Sequence, residues 1–312
     1  MKTLLVNTAA YGAIRAEAAR GELPHAILVL FPDEKYLRAL LKECAKAIFG
    51  AADGSREERL IATESHADCL FFPAAGEKLT VSDGARIIDE SLLRPVEGDK
   101  KLFVLDAFHA ASPLVQNKLL KVLEEPPANV YFLLGATEES AILPTVLSRV
   151  VKYAEPPFSE EAVLGALRRA GKGAGAEEAA AASGGVYSLA EKLIEGGGEE
   201  FLLAERFLSG DGVEALCREI GERKERGAFF AAVRLYLRDM LFIATGRERF
   251  AAMKNKTVFA LAQKYPAGAL LASIGFVADA ERDLKFNANP GQAAYTLALR
   301  IREETEKWKK LS

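Results

Sequence analysis

The loop after the first apolar run carries charged residues where a phosphate-binding loop could stand. The run Ala26 to Phe31 is typical of a buried strand, and Pro32, Asp33, Glu34 and Lys35 follow it. Loops that bind phosphates need glycines that aim backbone N–H groups at the ligand, a Lys for the outer oxygens, and Ser or Thr for Mg²⁺. This segment has no glycine, its proline lacks an N–H donor, and its two carboxylates would repel a polyphosphate. We predict that no nucleotide binds here and interpret Lys35 as a solvated surface residue; the alternative is a relic of a phosphate-binding Lys.

Asp106 follows another short apolar run, Leu102 to Leu105. A carboxylate at the end of such a strand can hold Mg²⁺ where phosphoryl groups are transferred. Because no phosphate-binding loop accompanies it, we favour a structural role for Asp106, as a helix cap or as a hydrogen-bonding residue at the strand end. The sequence therefore predicts no metal and no cofactor at this position.

Ser148 and Arg149 end a segment that begins at Leu143 and Pro144, a pattern typical of a short helix. A guanidinium can stabilise the charge that develops on a phosphoryl group, including one bound by a neighbouring subunit. It can equally neutralise the carbonyl end of its own helix. From the residues alone, both roles stay open.

Cysteines and histidines are too few and too scattered for a metal site. Cys44, Cys69 and Cys217 are an odd number of cysteines at spacings that fit neither a zinc site nor a disulfide framework. We interpret them as buried thiols in a reducing cytoplasm. We expect the three histidines, none at metal-ligand spacing, to be structural residues: His25, His66 and His109.

Short apolar runs alternate with helical patterns through the first half of the chain. The predicted strands are Ala26 to Phe31, Cys69 to Phe72, Leu102 to Leu105, and Val130 to Leu134. Two of the predicted helices are Ala9 to Arg20, which Gly21 ends, and Leu37 to Phe49. Strands that alternate with helices imply an α/β fold with a parallel sheet covered on both faces.

The sequence changes character after Pro156 and Pro157, because no further β-rich run follows and the pattern becomes helical. The triplet Gly196 to Gly198 is a second flexible boundary. We therefore predict an α/β domain over residues 1–156, a small helical domain over 157–198, and an all-helical domain over 199–312. In the last of these, five apolar residues line one face of a helix: Phe229, Val233, Tyr236, Leu237 and Met240. The first four exceed what a terminal appendage requires, so we interpret this face as a surface for contacts between subunits.

Composition excludes several classes of protein. Of the 312 residues, 50% are hydrophobic and 27% are charged, which is ordinary for a globular protein. The net charge of −3, from 41 basic and 44 acidic residues, argues against a dedicated nucleic-acid binder, because such proteins neutralise phosphates with a basic excess. The apolar stretch Ala267 to Ala278 is too short to span a bilayer, so no membrane segment is expected.

Four motifs in this order resemble the delta-prime and gamma/tau subunits of the bacterial DNA polymerase III clamp loader, which belong to the AAA+ superfamily. They are Pro24-His25-Ala26, the run Leu102 to Asp106, the helix and double proline NKLLKVLEEPP at Asn117 to Pro127, and LPTVLSR at Leu143 to Arg149. The resemblance covers roughly residues 1–160 strongly. Beyond residue 160 it is weaker, and it rests on helical character and on Asn287 to Ala298.

The resemblance also indicates which parts of an ATP site this chain lacks. In ATP-using relatives a catalytic Glu follows the strand-end Asp, whereas Ala107 and Phe108 stand here. Ser188 stands where those relatives carry an Arg that senses nucleotide. The four zinc-binding cysteines that the family often carries have no counterpart between Gly50 and Asp68.

The resemblance implies a role for the residues that remain. The family's Ser-Arg pair, matched by Ser148 and Arg149, projects its Arg into the ATP site of the neighbouring subunit. The implied protein is a stator without ATPase activity, with a lid domain at 157–198 and a collar domain at 199–312 that holds a ring together. Its implied partners are the gamma/tau and delta subunits, with the sliding clamp and primer-template DNA reached through the assembled complex. The alternatives are an ATP-hydrolysing motor subunit and a separate DNA-binding replication protein.

Overall fold

The computed structural model describes residues 1–223 and 226–311. The chain forms two compact units, Met1–Pro157 and Phe158–Ser312, which we call unit 1 and unit 2. The helices expected for the lid and the collar thus lie together in unit 2. A further division at residue 198 stays a prediction.

Unit 1 contains a sheet that has, within the described residues, five parallel strands in the order β2-β3-β4-β1-β5. The strands are β1 Ala26–Leu30, β2 Cys69–Phe72, β3 Lys101–Leu105, β4 Val130–Ala136 and β5 Val151–Ala154. The predicted α/β class with a parallel sheet is confirmed. Strands β1, β3 and β4 are almost wholly buried, as their continuous apolar sequences require.

Strand β5 is missing from the predicted strands. It pairs with β1 alone, and most of its residues are exposed. An edge strand of this kind needs neither an apolar run nor strict alternation. Its sequence, which includes Lys152 and the half-exposed Val151, therefore carries no clear strand signal.

The helices of unit 1 begin and end at recognisable residues. They are α1 Lys2–Leu5, α2 Ala9–Arg20, α3 Glu34–Phe49, α4 Arg56–Ala62, α5 Val81–Ser91, α6 Pro113–Glu124 and α7 Pro144–Leu147. Helix α2 ends at Gly21, whose φ of 69° suits a residue without a Cβ atom. The Ser112 hydroxyl accepts a hydrogen bond from the Val115 N–H at the start of α6. Helix α3 begins three residues earlier than predicted, which shortens the loop after β1.

A buried glutamine ties α6 to the segment before α7. The Gln116 side-chain amide donates to the carbonyl oxygens of Ala111 and Ala141, at 3.1 and 3.0 Å, and its oxygen accepts from the Leu143 N–H at 2.8 Å. All of its main hydrogen-bonding capacity is therefore used inside the fold. This arrangement fixes where α7, and the Ser148-Arg149 pair after it, can lie.

Unit 2 is helical throughout its described residues. Its helices are α8 Glu160–Arg169, α9 Ala176–Ala182, α10 Tyr187–Glu195, α11 Glu199–Ser209, α12 Val213–Glu222, α13 Arg226–Ala244, α14 Lys256–Ala262, α15 Ala267–Lys285 and α16 Pro290–Leu311. Helix α13 packs against α11, α15 and α9. The Arg234 guanidinium donates to the Ala182 carbonyl at 3.1 Å, which joins the end of α9 to α13.

The interpretation of the apolar face of α13 as a surface between subunits is wrong. Every predicted member of that face is buried inside unit 2: Phe229, Val233, Tyr236, Leu237 and Met240. Helices α11 and α15 cover it. The periodic pattern identified a buried face correctly, but a single helix sequence does not indicate whether the same chain or a partner buries it.

Candidate functional site

Only three residues connect β1 to α3. The Phe31 N–H donates to the Ala136 carbonyl at 2.9 Å, and its side chain is buried. Pro32 follows, and Asp33, 1% exposed, is the N-cap of α3. A connection this short cannot wrap around phosphate groups as a glycine-rich loop of the G-x-x-x-x-G-K-[ST] type does.

The amino end of α3 is acidic. Asp33 occupies the N-cap position, without a side-chain capping hydrogen bond, and Glu34 is the first helical residue, so two carboxylates lie at the positive end of the helix dipole. The Glu34 carboxylate lies 3.8 Å from Nε2 of His109. The Lys35 ammonium lies 5.3 Å from the centre of the Tyr36 ring. The charges at this helix end are thus arranged against a polyphosphate ligand.

Asp106 is held by protein groups at the end of β3. Its Oδ1 accepts a hydrogen bond from the Ala107 N–H at 2.8 Å, and its Oδ2 accepts one from Nη1 of Arg38 at 3.2 Å. Ala107 adopts a left-handed conformation with a φ of 47°, which is uncommon for a residue that has a side chain. The carboxylate that could have bound Mg²⁺ is therefore engaged by a guanidinium.

Arg38 joins several segments at this edge of the sheet. Its Nε and Nη2 donate to the two carboxylate oxygens of Glu64 at 2.8 and 2.6 Å, and Nη2 also donates to the Pro73 carbonyl at 3.1 Å. The Lys42 ammonium lies 2.9 Å from Oε1 of Glu64. The pKa of Glu64 is lowered to about 2, chiefly by hydrogen bonds from Arg38 and also by Lys42, against the opposing effect of burial.

Arg38 and Glu64 are not among the site residues predicted from the sequence. Arg38 lies in the α3 sequence, one turn before Lys42, and there it looks like an ordinary basic residue of a helix surface. Its partners Glu64 and Asp106 are 26 and 68 residues away. Only the parallel sheet brings these segments to one edge, so no local pattern could have identified the cluster.

Arg149 lies just after α7 with its guanidinium bound to its own chain. Its Nε and Nη2 lie 2.9 and 2.8 Å from Oε2 of Glu124, the last residue of α6. Its Nη1 donates to the Thr145 carbonyl at 2.8 Å and to the Ser148 hydroxyl at 3.1 Å. The side chain is 29% exposed and that of Glu124 is 55% exposed, so solvent reaches this ion pair.

Asp106 and Arg149 belong to separate clusters. Among the described residues they share no hydrogen-bonding partner, since Asp106 contacts Arg38 whereas Arg149 contacts Glu124. Ser188 lies in unit 2, in the first turn of α10. The sequence-predicted residues therefore do not form one catalytic centre in this chain.

The three cysteines and His66 are buried, whereas His25 is exposed and His109 is partly buried. All three thiols are free and buried, and burial raises the pKa of Cys217 to about 11. Backbone groups contact each histidine: the Leu123 carbonyl for His25, the Asp68 N–H for His66 and the Thr137 N–H for His109. Across residues 1–223 and 226–311, no group of three or more His, Cys, Asp or Glu side chains is arranged to hold a metal ion. None of the described helices is long and apolar enough to cross a membrane.

Unit 2 has an open groove of about 840 Å³ along α12 and α16. Tyr295 and Leu299, one turn apart on α16, line it and are 40% and 42% exposed. Three cations also line it and make no ion pair with any described residue: Arg218, Lys264 and Arg302. Two carboxylates, Glu214 and Glu306, line it as well, against four cations in all, so the groove combines exposed apolar area with a net positive charge.

Unit 1 is similar to known DNA polymerase III subunits. Residues 6–158 match the family model described as DNA polymerase III, delta subunit. A stretch of 104 residues is 35% identical to DNA polymerase III subunit tau of Salmonella typhimurium and covers 33% of this chain and 16% of that protein. A stretch of 87 residues is 33% identical to DNA polymerase III subunit gamma/tau of Mycobacterium tuberculosis and covers 27% of this chain and 15% of that protein.

The matched stretches span only about one sixth of the length of these curated relatives. Among solved structures, a DNA polymerase III gamma subunit-related protein from Thermotoga maritima aligns over 95% of this chain and 99% of that chain, with 18% identity and a TM-score of 0.48. The family model covers nearly all of unit 1, from before α2 to the end of the sheet. Residues 6–158, nearly all of unit 1, are therefore similar to the DNA polymerase III delta-subunit family, and shorter stretches of the chain are similar to gamma/tau subunits.

Proposed function

We propose that this chain is a non-hydrolysing subunit of a bacterial clamp loader, of the delta-prime kind, and that it binds no nucleotide of its own. The observation that carries this proposal is the three-residue connection from β1 to α3. The carboxylates of Asp33, its last residue, and of Glu34, the first residue of α3, lie where a phosphate would bind. The engagement of Asp106 by Arg38 supports it further. A nucleotide would meet neither a phosphate-binding loop nor an available metal ligand here.

Isothermal titration of the purified chain with ATP and Mg²⁺ tests this part of the proposal. We expect no binding heat, and the gamma/tau subunit of the same organism serves as the positive control. Micromolar affinity for ATP would contradict the proposal and favour an ATP-hydrolysing motor subunit instead.

We also propose that Arg149 acts in trans, at the ATP site of an adjacent gamma/tau subunit. Its guanidinium is fixed by α7 and Glu124 and is partly exposed. A guanidinium group can bind a phosphate as well as a carboxylate, because its N–H groups are spaced to donate two parallel hydrogen bonds to two oxygen atoms of either group. Exchange of the exposed Glu124 for a γ-phosphate would place the positive charge where hydrolysis develops negative charge.

We infer that assembly uses the gamma/tau and delta subunits as partners, and that the sliding clamp and primer-template DNA are reached through the complex. The relatives are DNA polymerase III subunits, which supports this inference. The balance of charges, −3 over the chain, gives no support to independent DNA binding. Three buried free thiols fit work in the reducing cytoplasm.

The collar role is proposed for the helices after residue 198, with residues 157–198 as a lid. The groove of α12 and α16 supports an assembly role, because exposed Tyr295 and Leu299 would be buried by a partner. Arg218 and Arg302 beside them form no ion pair with the described residues, and the net positive charge of the groove favours an acidic partner surface. This surface replaces the α13 face, which is buried within unit 2.

A further inference from the structure

We propose that Arg38 is a built-in cation that takes the place of a metal-bound nucleotide in unit 1, by joining α3 to the carboxyl ends of β2 and β3. The inference rests on the proposed function for its biological meaning, because a subunit that binds no nucleotide needs another means to fix this edge of the sheet. The ion-pair cluster itself can be tested on the isolated chain.

The contacts of Arg38 span three separate segments. Asp106 directly follows β3, Pro73 directly follows β2, and Glu64 lies between α4 and β2. Each of these partners accepts a hydrogen bond from its own N–H group of the Arg38 guanidinium. The guanidinium carbon lies 5.5 Å from the centre of the Phe71 ring. A planar group with five fixed donors can make this connection, whereas an ammonium group cannot.

Burial makes these contacts stronger than surface ion pairs. The side chains of Arg38 and Asp106 are 15% and 16% exposed, so solvent screens their interaction only in part. Removal of the guanidinium would leave two carboxylates, Asp106 and Glu64, without their main positive partner. Loss of one member of such a pair costs more than the pair contributes, since a charge then stays desolvated.

Two strained residues flank the cluster. Glu64 has a φ of 57° and Ala107 a φ of 47°, and both are non-glycine residues in the left-handed region. Such conformations persist only where surrounding contacts enforce them. At Glu64 the strained backbone presents the carboxylate to Arg38, and at Ala107 it lets the N–H donate to Asp106.

The Asp106 amide reports on this edge of the sheet. Its N–H donates to the Phe72 carbonyl at 2.7 Å, which joins the ends of β3 and β2 beside the guanidinium. If Arg38 holds these ends together, its removal opens this hydrogen bond more often and speeds hydrogen exchange at that amide.

Native-state hydrogen exchange on the full chain tests the proposal. Arg38→Met should speed exchange of the Asp106 amide by roughly tenfold or more, because the partly buried Asp106 carboxylate loses its guanidinium partner and Glu64 keeps only Lys42. Glu64→Gln is a milder change, and we expect it to speed exchange of the same amide by a smaller factor. This second variant keeps the proposal testable if Arg38→Met does not fold. The control is Arg56→Met, which breaks the exposed pair of Arg56 with Glu97.

Unchanged exchange at Asp106 in both variants, as in the control, would overturn the proposal. Restored protection of Arg38→Met on addition of ATP and Mg²⁺ would support the proposal, since the metal-bound nucleotide would then hold the strand ends that Arg38 holds in the wild type. ATP binding by the wild-type chain is a different result, and it would contradict the proposed function whatever the exchange rates of the variants.

Discussion

At the scale of single residues, Glu64 links the Arg38 cluster to acid stability. Its pKa lies at about 2 in the folded chain, chiefly because Arg38 donates hydrogen bonds to it, against an ordinary value of 4.5. A carboxyl group whose folded pKa is lowered stabilises the fold above the unfolded pKa and loses that contribution as pH falls through the folded pKa. The window of loss therefore runs from about pH 4.5 down to about pH 2.

We expect Glu64→Gln to lower the free energy of unfolding at pH 7 by roughly 1 kcal/mol, a value reduced for partial exposure. The difference from wild type should shrink as pH falls from about 4.5 towards 2, because the wild-type carboxylate becomes protonated. Urea unfolding at a series of pH values measures this. Glu77→Gln, at an exposed carboxylate, is the control. A difference that stays constant with pH would contradict the account.

The residues also differ in how far sequence could predict them. Absence of glycine and the presence of Asp33 and Glu34 are local features, and the lack of a phosphate-binding loop could be predicted from them. The network at Asp106 depends on Arg38, which reaches it from another element. Ion pairs between distant segments leave no periodic pattern, so they emerge only from the fold.

At the scale of elements, α3 lies against β4 at Gly135. A Cβ atom added there would lie 2.6 Å from Cδ1 of Leu41 and 3.1 Å from Cδ1 of Leu37. Both leucines are fully buried, so they cannot move aside without disturbing the core. The glycine thus sets how closely the helix approaches the sheet.

We expect Gly135→Ala to lower the free energy of unfolding by about 1–3 kcal/mol, the usual cost of overpacking. Gly12→Ala in α2 is the control, since no atom lies within 4 Å of the added Cβ. That variant should be neutral or more stable by about 0.5–1 kcal/mol, because alanine favours helix. Thermal or urea unfolding of both variants measures these changes in the free energy of unfolding. Equal stability of Gly135→Ala and wild type would show that the helix can shift freely.

Strands with continuous apolar sequences were predictable, including β2 at one edge of the sheet, whereas the polar edge strand β5 was not. The sequences of β1, β3 and β4 are apolar at nearly every position because both of their faces are buried. Strand β5 is exposed, and it is recognised only by its pairing with β1. The true start of α3 at Glu34 also escaped prediction, because helix ends depend on capping geometry.

At the scale of the whole molecule, the groove of unit 2 provides a test of assembly. We expect the double variant Arg218→Glu and Arg302→Glu to fold but to lose co-elution with the cognate gamma/tau and delta subunits in size-exclusion chromatography. Reversed charge would repel an acidic partner surface. The matched control is Arg247→Glu with Arg249→Glu, which makes the same charge change outside the groove. Intact assembly of the groove variant would show that another surface holds the complex together.

The central claim is that a chain without its own ATP site contributes Arg149 to the site of a neighbour. DNA-stimulated ATP turnover by the complex reconstituted with cognate gamma/tau and delta subunits tests it most directly. Arg149→Ala should leave the complex assembled but lower turnover, because an arginine finger contributes on the order of 10³-fold or more at its own site and the other sites mask part of the loss. Arg168→Ala, at an exposed arginine paired with Glu177 at 2.8 Å, should leave turnover at the wild-type rate. Wild-type turnover in the Arg149→Ala complex would contradict the account and leave Arg149 only its contacts with Glu124 and the end of α7.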